Sequence, residues 1–380
     1  MLSAGVGALA IASASAAANG TPGDLVSIGG GRKLYLQCRG TGGPTVVLIS
    51  GFRGGYDDWT HVVSGPEATP RPSGRAVFPR LAKFTRVCAY DRPGTTNFSG
   101  KISPSTPVRQ PTSAMDGVRD LHALLGAAGE VGPYLLVAHS WGGMIARLYA
   151  STYPEEIAGL VFADPGSAYL KETLKPAQWD RFAHGARQLG KPKTLEAANY
   201  ERSVEAIDDA PPPPQVPAVV LTADHPFDFG VGTDPGTWHA WLAAQDRLAA
   251  ELAAEHVTDT DSGHYIAGER PALVVEAVRR VVGRGSARRP TPSRSSRRSA
   301  GPAPASRGRS ARSASARTAA GGRCGRGRRG AGELERVQVR FGDRRLARVG
   351  DAADVGDEAG RGRLGGDRAQ VAGIGLGWRR

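Results

Sequence analysis

The segment Leu135-Leu136-Val137-Ala138-His139-Ser140-Trp141-Gly142-Gly143-Met144-Ile145-Ala146 sets a serine between an apolar run and a second apolar stretch. The first run is short and bounded, as in a buried strand, and the small residues after Ser140 open a helical pattern. A serine held on such a sharp strand-to-helix turn has its hydroxyl thrust outward, and the residues two before and two after must be small for the turn to close. Here they are Ala138 and Gly142, giving A-x-S-x-G. Ser140 is thus a candidate nucleophile, although a serine that merely caps the helix would share this local sequence. A serine hydroxyl becomes reactive when a neighbouring base takes its proton. Candidate bases are the eight histidines: His61, His122, His139, His184, His225, His239, His256 and His264.

The elements that must position these groups read as an α/β architecture. Residues 25–28 and 33–38, split by Gly29-Gly30-Gly31, predict an antiparallel hairpin, and residues 45–49 and 87–90 predict buried strands. From there the spacing becomes βαβ. A helix over 113–127 leads to a strand over 134–138, and a helix over 144–152 leads to one over 159–163. A later strand covers 218–221, and Pro271 opens a last helix with the stripe Leu273, Val274, Ala277, Val278 and Val281. Such alternation means a mostly parallel sheet with helices on both faces. Between residues 165 and 215 the pattern turns helical and irregular and ends in four prolines, Pro211 to Pro214. An excursion of that length exceeds what a simple connection needs and reads as a helical lid.

Net charge divides the 380-residue chain. Residues 284–380 hold 24 Arg, no Lys and 8 acidic residues, a net of +16, so the first 283 residues carry −3 of the overall +13. An Arg, Ser, Gly, Ala and Pro-rich stretch of this kind cannot bury enough apolar area to offset its ordering entropy, and it is expected to be a disordered tail. Its arginines lack interleaved aromatics, so a nucleic-acid partner is not expected. Residues 1–20 are apolar and small with an A-x-A site at Ala14-Ser15-Ala16, which reads as an export leader without a basic start; no other segment reads as a membrane span. The expected organisation is a leader over 1–20, a domain over 24–283 with its lid over about 165–215, and a tail over 284–380; the expected location is secreted or cell-envelope. Cys38 and Cys88 lie on strands that could meet, as a disulfide suited to export or as two buried thiols.

With these motifs the chain resembles the α/β-hydrolase superfamily over about residues 25–282. Besides the serine turn, Ile49-Ser50-Gly51-Phe52 sits where that family places its His-Gly oxyanion turn, with Ser50 replacing the histidine, and Tyr90-Asp91-Arg92-Pro93-Gly94 is similar to its D-R-x-G turn. The resemblance implies an eight-stranded sheet, Ser140 as nucleophile, and His264, in Asp261-Ser262-Gly263-His264, as base. It implies an oxyanion hole from the amides of Phe52 and Trp141. Some branches place the triad acid where Asp164 stands, and the commoner place is that of Asp224 or Asp228; Asp164 is preferred, with Asp224 as the alternative. The other seven histidines are read as structural or surface residues.

The implied activity is cleavage of an ester or similar acyl bond in a small-molecule substrate through an acyl-enzyme. The alternatives are an amidase or peptidase of the same fold and a non-catalytic binding protein on the same scaffold. Neither a metal-ligand cluster nor a nucleotide loop is present in the sequence, and no cofactor is implied.

Overall fold

Period-two burial decides the sheet. The computed structural model describes residues 23–65, 68–188, 194–227 and 236–288; the leader expected over 1–20 lies outside the described residues, and of the tail expected over 284–380 residues 284–288 instead continue the last helix, where Arg284 pairs with Glu255, while the rest lies outside them. Eight strands form one sheet: β1 (Asp24–Gly29), β2 (Arg32–Arg39), β3 (Val46–Ile49), β4 (Val87–Asp91), β5 (Tyr134–Ser140), β6 (Ile157–Pro165), β7 (Ala218–Leu221) and β8 (Glu255–Val257). Their spatial order is β1-β2-β4-β3-β5-β6-β7-β8. The β1–β2 hairpin and the β2–β4 pair are antiparallel, and every pairing from β4 to β8 is parallel. β8 escapes the sequence reading because three half-buried residues leave no apolar run to find.

Alternate strand residues face opposite layers. Val47, Ile49, Tyr90, Leu136, Ala138, Leu160, Phe162 and Val220 pack against α2 (Ala114–Ala127), α3 (Gly142–Thr152) and α7 (Thr237–Glu251). Val46, Leu48, Ala89, Leu135, Val137, Val161, Val219 and Leu221 pack against α1 (Val77–Leu81), α8 (Ile266–Glu269) and α9 (Pro271–Arg288). The two central strands are apolar on both faces, which is why they read as continuous apolar runs. Fully burying one such Leu, Ile or Val is worth about 1.5–3 kcal/mol. Helix α2 starts where Ser113 and Asp116 bond reciprocally, the side chain of each accepting from the other's amide.

Between β6 and β7 the chain makes a helical excursion: α4 (Leu170–Thr173), α5 (Pro176–Gln188) and α6 (Tyr200–Asp208). It is anchored, because Trp179, Phe182, Tyr200 and Val204 join the cluster around Trp141 and Met144. Among the described residues no helix is long and apolar enough to cross a membrane.

Cys38 and Cys88 are register partners across the antiparallel β2–β4 pair and form a disulfide. The bridge closes a separation of 50 residues, which the chain-entropy account values at about 4 kcal/mol. Reductant, or Cys38→Ser with Cys88→Ser, is expected to lower the melting temperature by several degrees. Intact mass should rise by two hydrogens on reduction; equal masses with and without reductant would remove the bridge from the account.

Candidate active site

Ser140 ends β5 and adopts φ 51°, a left-handed conformation that costs a non-glycine residue energy and that packing must impose. The packing is visible at Gly142: a Cβ there would come within 2.4 Å of the Ile49 carbonyl oxygen and 2.7 Å of that of Ser50. No side chain fits, so β5 can turn into α3 only where the chain carries glycine. Ala138, two residues before the serine, is wholly buried.

The turn brings together three residues that are 124 and 100 positions apart. His264 Nε2 lies 2.8 Å from Ser140 Oγ, and His264 Nδ1 lies 2.5 Å from Asp164 Oδ2. Asp164, at φ 45° near the end of β6, has no solvent exposure. Its second oxygen accepts from the Ala223 amide at 3.0 Å, Trp241 Nε1 at 3.1 Å and Gln245 Nε2 at 2.6 Å. An acceptor oxygen facing Nδ1 leaves the Nε2 lone pair directed at the serine. Phe227 stacks on the His264 ring at 4.3 Å between centroids, and Trp241 meets it edge-on at 5.5 Å.

Residues 44–197 match the family model described as alpha/beta hydrolase fold, and the strand order and the serine turn agree with it. The chain has the α/β-hydrolase fold. It is 37% identical over 99 residues to an uncharacterized protein of Schizosaccharomyces pombe, covering 26% of this chain and 17% of that protein. It is 24% identical over 288 residues to cis-3-alkyl-4-alkyloxetan-2-one decarboxylase of Xanthomonas campestris, covering 64% of this chain and 90% of that protein. Among solved structures it is similar to a thermophilic esterase from Thermogutta terrifontis at 19% identity and TM-score 0.43, covering 69% of this chain and 97% of that chain. The chain spans less than half the length of the first three curated relatives it matches.

Asp224 occupies a different place from Asp164. Its carboxylate accepts from the amides of Asp261 at 3.0 Å and Ser262 at 2.9 Å, holding the loop that carries His264. Glu269 holds the same loop from the other side, accepting from the Gly263 amide at 2.8 Å. Asp228 lies outside the described residues. His139 packs beside the site: Nε2 donates to the His264 carbonyl at 2.8 Å, and the two rings lie 4.6 Å apart. Burial first, and the neighbouring His264 next, push the His139 pKa down to about 3, so it is neutral at ordinary pH.

The turn after β3 is held by charge. Gly54 closes it with a bond from its amide to the Gly51 carbonyl at 3.1 Å, a bond that leaves the Phe52 amide unused by the turn. Trp141 precedes the first residue of α3, so its amide is among the donors that a helix start leaves without an intrahelical acceptor. Ser50, in the position of the family's histidine, is buried and donates to the Gly55 carbonyl at 2.7 Å while accepting from Trp59 Nε1 at 2.7 Å. Arg92 donates to the carbonyls of Ser50 at 2.8 Å and Gly51 at 2.6 Å, and its Nε lies 2.6 Å from Glu196 Oε1. Glu196 also accepts from the Arg53 amide at 2.5 Å. Burial works against the Arg92 charge, but Glu196 outweighs it and holds the guanidinium more firmly protonated than in water.

Sequence reading missed four of these residues. Glu196 sits in the excursion without periodicity. Phe227 lies in an irregular loop. Trp241 and Gln245 are on α7, whose spacing of Trp241, Ala244 and Leu248 was the available signal.

Two outcomes follow. Glu196→Gln leaves a buried guanidinium uncompensated and should cost about 3–5 kcal/mol in urea unfolding; a loss under 1 kcal/mol would mean that the pair does not hold the turn. His139 has a folded pKa of about 3 against about 6.5 unfolded. The unfolded chain therefore takes up the proton first, and the stability that His139 contributes above pH about 6.5 is lost as pH falls towards 3. In His139→Gln the difference in unfolding free energy between pH 7 and pH 4.5 should shrink; identical pH slopes in the two proteins would contradict a neutral buried His139.

Proposed function

We propose that the chain is a serine hydrolase that cleaves an ester or similar acyl bond through an acyl-enzyme on Ser140. The observation that carries this reading is the unbroken hydrogen-bond chain from Asp164 through His264 to Ser140 Oγ, on a serine held at positive φ. In the reading, Ser140 Oγ attacks the substrate carbonyl as His264 Nε2 removes its proton, and the imidazolium then returns that proton to the departing alkoxide. Asp164 keeps His264 in the Nδ1–H tautomer and stabilises the imidazolium without itself being protonated. Water next enters with His264 as base, and attack on the acyl-enzyme frees the acid. The amides of Phe52 and Trp141 face the developing oxyanion, each worth about 3 kcal/mol where the donor is pre-oriented. The Arg92–Glu196 pair supports that role by fixing the carbonyls of Ser50 and Gly51, and so the direction in which the next amide points.

An oxetan-2-one, which the name of the Xanthomonas relative places as its substrate type, is a cyclic ester, and this supports an ester carbonyl as the electrophile here. In the same reading, the excursion carrying α4 to α6 is the lid, and the substrate is a small molecule. Export follows from the leader sequence alone.

Labelling by a fluorophosphonate probe is the direct test. Wild type should label and Ser140→Ala should not. With p-nitrophenyl acetate, Asp164→Asn should lose about 10⁴ in kcat, the scale set by an acid that fixes the tautomer. Asp224→Asn should lose far less, because its partners are loop amides. A folded wild type that neither labels nor turns over would reject the hydrolase and favour a binding protein on this scaffold.

A further inference from the structure

Behind Asp164 runs a line of buried polar side chains that the proposed reaction does not use. Gln245 is fully buried on α7, and Thr222, just after β7, is 2% exposed. Gln245 Nε2 lies 2.6 Å from Asp164 Oδ1, and Thr222 Oγ1 lies 2.7 Å from Gln245 Oε1 and 2.8 Å from His256 Nε2. His256 stands on β8 with Nδ1 3.5 Å from Asp246.

Donor and acceptor chemistry gives this line one direction. The Asp164 oxygen only accepts, so Gln245 must present its NH2 to it and its carbonyl to Thr222. The carbonyl only accepts, so the single Thr222 hydroxyl proton is committed to Gln245. Thr222 Oγ1 must then accept from His256, which carries its proton on Nε2. Reversing Gln245 or Thr222, both buried, sets two acceptors face to face at about 2.7 Å, where an unmade hydrogen bond costs most.

We propose that Gln245 is a positioning residue for the Asp164 carboxylate, and that Thr222 and His256 lock its amide in the donating orientation. The donors therefore run from His256 through Thr222 and Gln245 to Asp164, on the carboxylate oxygen that His264 does not use. With Oδ1 held by three donors, Oδ2 faces His264 Nδ1 and cannot exchange roles with it. The proposal rests on the serine-hydrolase reading for its catalytic consequence but not for its geometry.

The full-length protein with Gln245→Leu, Thr222→Val or Thr222→Ser tests it, using p-nitrophenyl acetate turnover and the low-field proton resonance of His264 Nδ1–H. Gln245→Leu is expected to lower kcat by about ten- to a hundredfold, the usual scale for removing a group that orients an active-site side chain, with KM within about twofold. The low-field resonance should shift or vanish. Thr222→Val should move both readouts the same way, and Thr222→Ser, which keeps the hydroxyl, should restore both. Wild-type kcat with an unshifted resonance in Gln245→Leu and Thr222→Val would overturn the positioning role. So would a loss of melting temperature with the resonance unmoved, since that marks packing alone. If wild type turns over no ester, the hydrolase reading falls, and the resonance still decides: loss in Gln245→Leu and Thr222→Val with recovery in Thr222→Ser supports the line, and no change rejects it.

Discussion

A carboxylate without solvent is among the most expensive groups a fold can hold, and the C-terminal half of this molecule is arranged around one. An isolated ionised carboxylate moved into the interior would cost far more than the whole stability of a domain. Asp164 is tolerated because four donors converge on it: His264, the Ala223 amide, Trp241 and Gln245. They come from the end of β7, from α7 and from the loop before α8, so none of these segments can shift without exposing an unpaired charge. Helix α7 is placed by this requirement as much as by the burial of Trp241 and Leu248. Phe227 and Trp241 pack on the His264 ring and keep water from the bond between His264 and Asp164, where a low local dielectric strengthens it.

The N-terminal half is organised by the opposite charge. Arg92 lies under the turn after β3 and spends its guanidinium on two carbonyls of that turn and on Glu196. Glu196 arrives on the helical excursion between β6 and β7, where its amide donates to Gly94 at 2.9 Å. A Cβ at Gly94, which has φ 83°, would meet the Thr194 carbonyl at 2.5 Å, so the turn after β4 needs glycine for this approach. The excursion is therefore bound to the sheet edge by a buried ion pair and not only by its apolar faces. Tyr265 joins the two halves, donating from the residue after His264 to the Asp58 carbonyl at 2.5 Å.

How much of this was legible depends on whether a residue's role is local. Ser140 declares itself because its requirement for small neighbours and its strand-to-helix setting are written within a dozen residues. The central strands are legible for the same reason: burial on both faces demands unbroken apolar runs. His264 is legible only through family resemblance and its loop position, because nothing local distinguishes it among the eight histidines. The choice between Asp164 and Asp224 was not local either. Both are strand-end aspartates, and both turn out to accept backbone or side-chain donors that belong to distant segments. Glu196, Gln245 and Thr222 are polar residues whose partners lie 104, 81 and 34 positions away, and no periodicity marks such a residue.

Sheet register explains why Asp164 stands beside the serine. Ser140 pairs with Pro165 across the parallel β5–β6 ladder, so Asp164 emerges one strand from the serine at nearly the same height. His264 then needs to span only the gap between adjacent strand ends, about 5 Å in the hydrogen-bonding direction. An acid after β7 would stand one strand farther out, and its side chain would have to reach across the space that the Ala223 amide and Asp164 occupy. With the near position filled, the chain end of β7 is left to supply a backbone donor to Asp164 through Ala223, and the next residue, Asp224, faces the loop amides of Asp261 and Ser262. The two aspartates thus act on the same histidine at different levels: one bonds its ring, and the other shapes the loop that delivers it.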